Sequence, residues 1–457
     1  MSEKKGTFRS DRRLLNWNRK NIRMCRRHSF PRRGKFLREN NEGFSVGIFA
    51  RKYKCCIFIK RGYDMRTVGT VSRGIRAPII KKGDDLIGIV ATTVIEAAKN
   101  EGFSLNDMDV VGVKESVLAR SQGNYATMDH IAKDIKNKFP GGIIGITLPI
   151  LSRNRFSHIL RGISEGVDKI YIMLAYPGDE VGNNLITWDQ LDEKGINPYT
   201  DVLSEDDFTK HFGRPIHEFT GVDYISLYKE MSKGKATIIF ANDPRSILKY
   251  TKHVITADIH TRRRSKRILR EAGAETVYGL DEILNKPIEG SGYNPDYGLL
   301  GSNLATGDSL KLFPRDAKDF AERLSERLQS LTGKGIEVFV YGDGAFKDPE
   351  CGIWELADPV VSPGYTKGLE GTPNELKLKY LADTAAAGEQ GEAASEIIRN
   401  MIRNKKDDLK GDMASEGTTP RRYTDLLGSL CDLTSGSGDK GTPIVLVQGY
   451  FDSYADE

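Results

Sequence analysis

Val338-Phe339-Val340-Tyr341-Gly342-Asp343-Gly344-Ala345-Phe346-Lys347-Asp348-Pro349 is the stretch on which the reading of this chain turns. Its apolar run has the composition of a buried strand. The strand ends in Gly-Asp-Gly, so a carboxylate, Asp343, stands at its C-terminal edge with permissive backbone on both sides. Oxygen ligands at such an edge suit the hard cations Mg²⁺ or Mn²⁺. Glu355 and Asp358 add carboxylates shortly after. A plain turn is the alternative, because Asp-Gly and Asp-Pro are ordinary turn pairs.

Outward from this stretch, strand and helix signals alternate. Phe320, Leu324, Leu328 and Leu331 predict a helix over 317–331, stopped by Thr332-Gly333-Lys334. A strand over 335–340 follows. Upstream, Val68–Ser72, Asp109–Val113, Gly141–Leu148, Ile170–Ala175 and Ala236–Ala241 read as strands. Gly83-Asp84-Asp85 opens a helix with Ile87, Val90, Val94, Ile95 and Ala98 on its apolar face. Further helices are expected over 157–166, 246–252 and 392–403. Residues 184–220 are polar and turn-rich and read as a loop-dominated insertion. The sum is an α+β (mixed α/β) chain with covered sheets.

Composition sets the outer limits. The 457 residues are 39% hydrophobic, enough for a core, and carry a formal net charge of +5. That charge is unevenly placed. Residues 1–64 hold 19 basic and 5 acidic side chains, a balance of +14, and the rest hold 49 and 58, a balance of −9. A basic extension over 1–64 therefore precedes an acidic body over 65–457. The extension, with Arg12-Arg13, Arg26-Arg27 and Arg32-Arg33 around Trp17, Phe30 and Phe36, reads as a disordered tail or as an upstream start-site artefact before Met65. A nucleic-acid-binding arm is the functional alternative. No apolar run approaches the ~18 residues of a membrane span, and no secretory signal is read. Five scattered cysteines fit neither a disulfide framework nor a zinc site, so a reducing cytoplasm is expected.

Three further clusters have chemical potential. Tyr297–Asp308 is rich in small residues, and its Ser302, Asn303 and Thr306 offer hydrogen bonds to an anion. It lacks the Gly-Lys-Ser/Thr ending of a P-loop. Lys114 stands at a strand end with Arg120 close behind, a pair able to neutralise phosphate oxygens. A solvated basic face is the equal alternative. Thr261-Arg262-Arg263-Arg264-Ser265-Lys266-Arg267 is a basic patch within the acidic body, either an anion-receiving surface or the charged face of an amphipathic helix.

In order, these pieces resemble the coenzyme F-420 γ-glutamyl ligases, which add glutamate to a deazaflavin cofactor. The resemblance rests on Gly74-Ile75-Arg76-Ala77-Pro78, Gly83-Asp84-Asp85-Leu86, Val113-Lys114, Arg120-Ser121-Gln122-Gly123 and Gly298-Leu299-Leu300-Gly301-Ser302-Asn303. It continues through Leu312-Phe313-Pro314, Leu331-Thr332-Gly333-Lys334 and Gly342-Asp343-Gly344. It ends on Gly436-Ser437-Gly438-Asp439-Lys440-Gly441 and the strand after Pro443. It covers about 65–135 and 290–450, leaving 140–290 as a family-atypical insertion. Two departures stand out. Leu300 replaces a metal-binding Asp of the family loop, and Gly344 replaces a Thr.

The resemblance implies a two-lobed body with mixed sheets, a homodimer, and a GTP-dependent reaction with Mg²⁺ or Mn²⁺. The acceptor carboxylate is phosphorylated, and the amine of L-glutamate then attacks the acyl phosphate. Asp343 and Lys114 would be the catalytic residues. Asp343, with Asp308, Asp296 or Glu355 in place of the lost Asp, would hold metal. Lys114, Arg120, Ser302, Asn303, Gly436, Gly438 and Lys440 would hold the nucleotide. Apart from the resemblance, charge alone suggests that Arg262–Arg264 attract the acceptor or glutamate. A deazaflavin acceptor is the family default, and folate polyglutamylation by the same chemistry is the alternative. Outside that chemistry stand a nucleic-acid-binding protein and a non-catalytic relative that lost a metal ligand at Leu300.

Overall fold

A computed structural model describes residues 44–51, 54–61 and 68–456, except 219, 343–344, 348–353, 357–361, 416–421 and 436–438. The strands in chain order are Phe44–Arg51 (β1), Lys54–Arg61 (β2), Val71–Ile75 (β3), Val110–Lys114 (β4), Tyr125–Thr127 (β5), Ile143–Thr147 (β6), Lys169–Leu174 (β7), Leu203–Ser204 (β8) and Ala236–Phe240 (β9). They continue with His253–Thr256 (β10), Thr276–Gly279 (β11), Asn303–Thr306 (β12), Ser309–Lys311 (β13), Glu337–Tyr341 (β14), Ala345–Lys347 (β15), Trp354–Leu356 (β16), Gly364–Tyr365 (β17) and Ile444–Gln448 (β18). Within the basic extension, β1 and β2 pair as an antiparallel hairpin. Residues 68–456 form a separate compact unit, built as mixed α and β.

One sheet of that unit has the order β17-β14-β4-β18-β3. Its strands alternate strictly between two cores. Val111, Val113, Val338, Val340, Ile444 and Leu446 face one side, while Val110, Phe339, Tyr341, Val445 and Val447 face the other. The first side is covered by the helices Leu86–Glu101 and Ala317–Thr332, through Val90, Val94, Leu324 and Leu328. The second is covered by the Tyr423–Ser435 helix, through Leu427 and Cys431. Two-sided burial explains why the 338–341 run has no polar alternation. Gly112 is required at the second face, because a Cβ there would lie 2.8 Å from Cys431 Sγ. The Leu86–Glu101 helix starts where Asp85 accepts a hydrogen bond from the Gly88 amide at 3.1 Å. The first strand runs over Val71–Ile75, three residues later than its sequence pattern suggests, because its ladder with β18 begins at the Val71–Gln448 pair.

The 140–290 segment builds a second sheet, ordered β11-β10-β6-β7-β9-β8. Its first five members are parallel, and β8 joins antiparallel at the edge. Both faces are covered. Ile144, Ile146, Ile170, Ile172, Ile238 and Phe240 pack on one side, and Met173, Ile239, Val254 and Val277 on the other. The 184–220 stretch is mostly loop, as expected, but it is not without helices. It contains the helices Trp188–Lys194 and Glu205–Phe212, each opened by a capping box, Thr187 with Gln190 and Ser204 with Asp207. Their polar faces hid them, and Leu191 and Phe208 are their buried anchors. The helix expected over 246–252 is a 3-10 turn at Pro244–Lys249. Among the described residues, no helix is long and apolar enough to cross a membrane.

Candidate active site

β4 and β14 are parallel neighbours, with Lys114 opposite Tyr341 at their common C-terminal edge. β18 runs the other way, so its beginning reaches the same edge, where the Lys114 amide donates to the Pro443 carbonyl at 2.9 Å. Topology thus gathers Lys114, the chain entering Gly342-Asp343 and the chain leaving the glycine-rich segment before Pro443. Asp343, Gly436 and Gly438 themselves lie outside the described residues, as does the Glu355 side chain.

Lys114 is the last residue of its strand and directly precedes the Glu115–Gln122 helix. Its Nζ donates to Asp432 Oδ1 at 2.7 Å, from the helix that covers the sheet. It also lies 5.8 Å from the centre of the Tyr341 ring. Glu115, in the first helical turn where a carboxylate complements the dipole, is buried and pairs with Lys311 Nζ at 3.3 Å. Lys311 lies on β13, opposite Asn303 of β12, so the two side chains share one sheet face. Burial lowers the Lys311 pKa, and the Glu115 charge opposes that shift. Arg155, at the start of the Phe156–Glu165 helix, is similarly lowered by burial and held charged by Glu115 and Asp432. Tyr341 is raised by burial, and the neighbouring Cys431 adds to the shift.

The cluster therefore sets three cations, Lys114, Arg155 and Lys311, against two carboxylates, Glu115 and Asp432. The three cations share a partly desolvated place, which suits a phosphate-bearing ligand. Glu115 Oε2 and Asn303 Oδ1 are buried without a hydrogen bond. Both are hard donors of the kind that divalent Mg²⁺ or Mn²⁺ takes. Among the described residues, no three His, Cys, Asp or Glu side chains converge as a metal site.

The other expected residues are distributed differently. Ser302 is fully buried, and its hydroxyl donates to the Leu299 carbonyl at 2.7 Å. Arg120 is exposed, six residues along the helix from Lys114, or roughly 9 Å of axial rise. Asp296 and Lys440 are exposed. Asp308 is at the tip of the β12–β13 hairpin, 81% exposed and paired with Arg161 at 2.7 Å. Leu300 packs into the core. In the basic patch, Arg262 and Lys266 pair with Asp281, and Arg267 pairs with Glu271 on the Arg262–Glu271 helix. Asp432, Lys311 and Arg155 were not singled out in the sequence. Each is an isolated charge in an ordinary amphipathic context, and only the tertiary fold joins them.

A family model described as F420-0:Gamma-glutamyl ligase matches residues 74–449, a span that includes the 140–290 segment and every element contributing to this cluster. No curated protein is similar enough to the sequence to count as a match. With more than half of its length matched, the chain belongs to the F420-0:gamma-glutamyl ligase family.

Proposed function

We propose that this γ-glutamyl ligase uses GTP to activate an acceptor carboxylate as an acyl phosphate and joins it to L-glutamate. The observation that carries the reading is the Lys114–Asp432 and Lys311–Glu115 cluster with Arg155, which brings three cations to one strand edge. In the first step, an acceptor carboxylate oxygen attacks the γ-phosphorus of GTP and GDP leaves. In the second, the glutamate nitrogen attacks the acyl carbon, the carbon–oxygen bond to phosphate breaks, and the amine loses a proton. A free carboxylate is a poor electrophile, and phosphate is the leaving group that solves this. Lys114, Arg155 and Lys311 would orient the transferring phosphoryl group and offset its charge. Glu115 and Asn303, with Asp343 just past the end of β14, would hold Mg²⁺ or Mn²⁺, which supplies further charge neutralisation on phosphate oxygens.

The family description favours the deazaflavin acceptor F420-0. The test is incubation of the chain with GTP, Mn²⁺, L-glutamate and either F420-0 or a folate. An amide product of F420-0 with equimolar GDP is expected. Product with folate alone replaces the acceptor, and GTP-independent product or none with either acceptor rejects the proposal.

A further inference from the structure

A second constellation lies on the other sheet. Across its parallel part the strands run β9-β7-β6-β10-β11, so the direction of growth reverses between β6 and β10. In open α/β sheets such a reversal leaves a crevice outside the carboxyl ends of the two strands, and ligands bind there. A cavity of about 400 Å³ occupies this place, lined by Leu148 after β6, Asn242 after β9, and Asp258 and Thr261 after β10. That volume is in the range of small-molecule sites. An adjoining cavity of about 530 Å³ shares Tyr199 and Asn242 with it.

The polar groups of the crevice are unevenly committed. Asp179 accepts from the Leu151, Val181 and Asn183 amides, and Glu180 from the Ile259 and His260 amides, so both organise backbone. Asp258 is different. It is 1% exposed, and its Oδ2 accepts from the Thr261 and Ser265 hydroxyls at 2.7 and 2.8 Å. Its Oδ1 is buried with no hydrogen bond, and so is Thr147 Oγ1 at the end of β6. The two strands flanking the reversal therefore each lead to a polar atom with unused capacity. Such atoms are costly to leave unpaired. Two aromatics, Trp188 and Tyr199, 43% and 75% exposed, line the same cavity with ring centres 6.4 Å apart. They offer flat apolar faces to a ring. The chain after β6 reads Leu148-Pro149-Ile150-Leu151-Ser152, without the glycine-rich turn that binds phosphate in such sheets.

We propose that this crevice binds an unphosphorylated heterocycle bearing a sugar or polyol chain, with its ring against Trp188 and Tyr199 and a hydroxyl donating to Asp258. The site is on a different sheet from the Lys114 cluster, and the proposal stands apart from the ligase mechanism because its test reads binding alone. Adenosine and riboflavin are the probes, titrated into the full chain by calorimetry, with adenine, lumichrome and FMN as comparisons. Saturable binding of at least one of the two probes is expected, weakened about tenfold or more in both Trp188→Ala and Asp258→Asn. Removing the hydroxylated chain, as in adenine or lumichrome, is expected to cost at least as much. No saturable binding of either probe overturns the proposal. So does unchanged affinity in either variant, equal affinity for the chain-free rings, or tighter binding of FMN than of riboflavin. Trp188 is on the surface, so its variant tests the site without a folding defect.

Discussion

Lys114 Nζ lies 2.7 Å from Asp432 Oδ1 across 318 residues of sequence. The contact ties the end of a central strand to the helix covering that sheet, at the edge where β14 ends and β18 begins. Both side chains are only 20% exposed, so the pair is partly desolvated and its geometry is fixed by packing. A phosphate arriving there would compete with Asp432 for the Lys114 ammonium.

Lys114→Ala is expected to lower kcat by about 100-fold or more, the size of effect seen when a preorganised charge on a reacting phosphoryl group is lost. Lys114→Arg keeps the charge and is expected to retain more activity than the alanine variant. Steady-state kinetics of both, with melting curves to confirm folding, check this. Equal kcat in Lys114→Ala and the parent removes Lys114 from the reaction.

Arg155 enters the cluster from the 140–290 segment, whose helix it precedes. If it holds nucleotide phosphate, Arg155→Ala raises the GTP KM by about tenfold, the worth of one charge-assisted hydrogen bond. The KM for glutamate is expected to stay constant. The comparison of the two KM values is the readout, and a change confined to glutamate assigns Arg155 to the other substrate.

Gly112→Ala places a methyl carbon 2.8 Å from Cys431 Sγ and 3.0 Å from the Phe339 ring. Overpacking of this kind costs about 1–3 kcal/mol. Cys431→Ala in the same chain makes room, so the two changes are expected to be strongly non-additive in urea unfolding. Additive free energies would place the strain elsewhere.

Burial raises the Asp258 pKa above its ordinary value of 3.8, with the Thr261 and Ser265 hydroxyls opposing. The folded state then binds its proton more tightly than the unfolded state. Its contribution to stability is greatest below the ordinary value and is lost as pH rises through the folded pKa. Asp258→Asn removes that titration, so stability is expected to fall less than in the parent as pH rises above about 4. Thermal unfolding across that range measures it, and identical pH profiles contradict it.

Much of the strand inventory was legible because buried strands such as 338–341 and 236–240 are short runs dominated by apolar β-formers. Their partners were not, since periodicity names a strand and says nothing of its neighbours. The reversal between β6 and β10 is a property of order alone. In the 184–220 stretch the signal was present in Thr187-x-x-Gln190 and Ser204-x-x-Asp207, but polarity outweighed it. For the site, Lys114 was legible at a strand end and Asn303 in a small-residue loop. Glu115, Lys311, Arg155 and Asp432 meet only because β13 and three helices converge, so no local pattern announces them.

The most direct test follows the oxygen. With ¹⁸O in the acceptor carboxylate, activation through an acyl phosphate carries one labelled oxygen into the released inorganic phosphate for each amide formed. Mass spectrometry of that phosphate is expected to show one ¹⁸O per product molecule, in a reaction that needs GTP. Amide formation with unlabelled phosphate would contradict the mechanism, and absence of both amide and phosphate would contradict the ligase reading of this site.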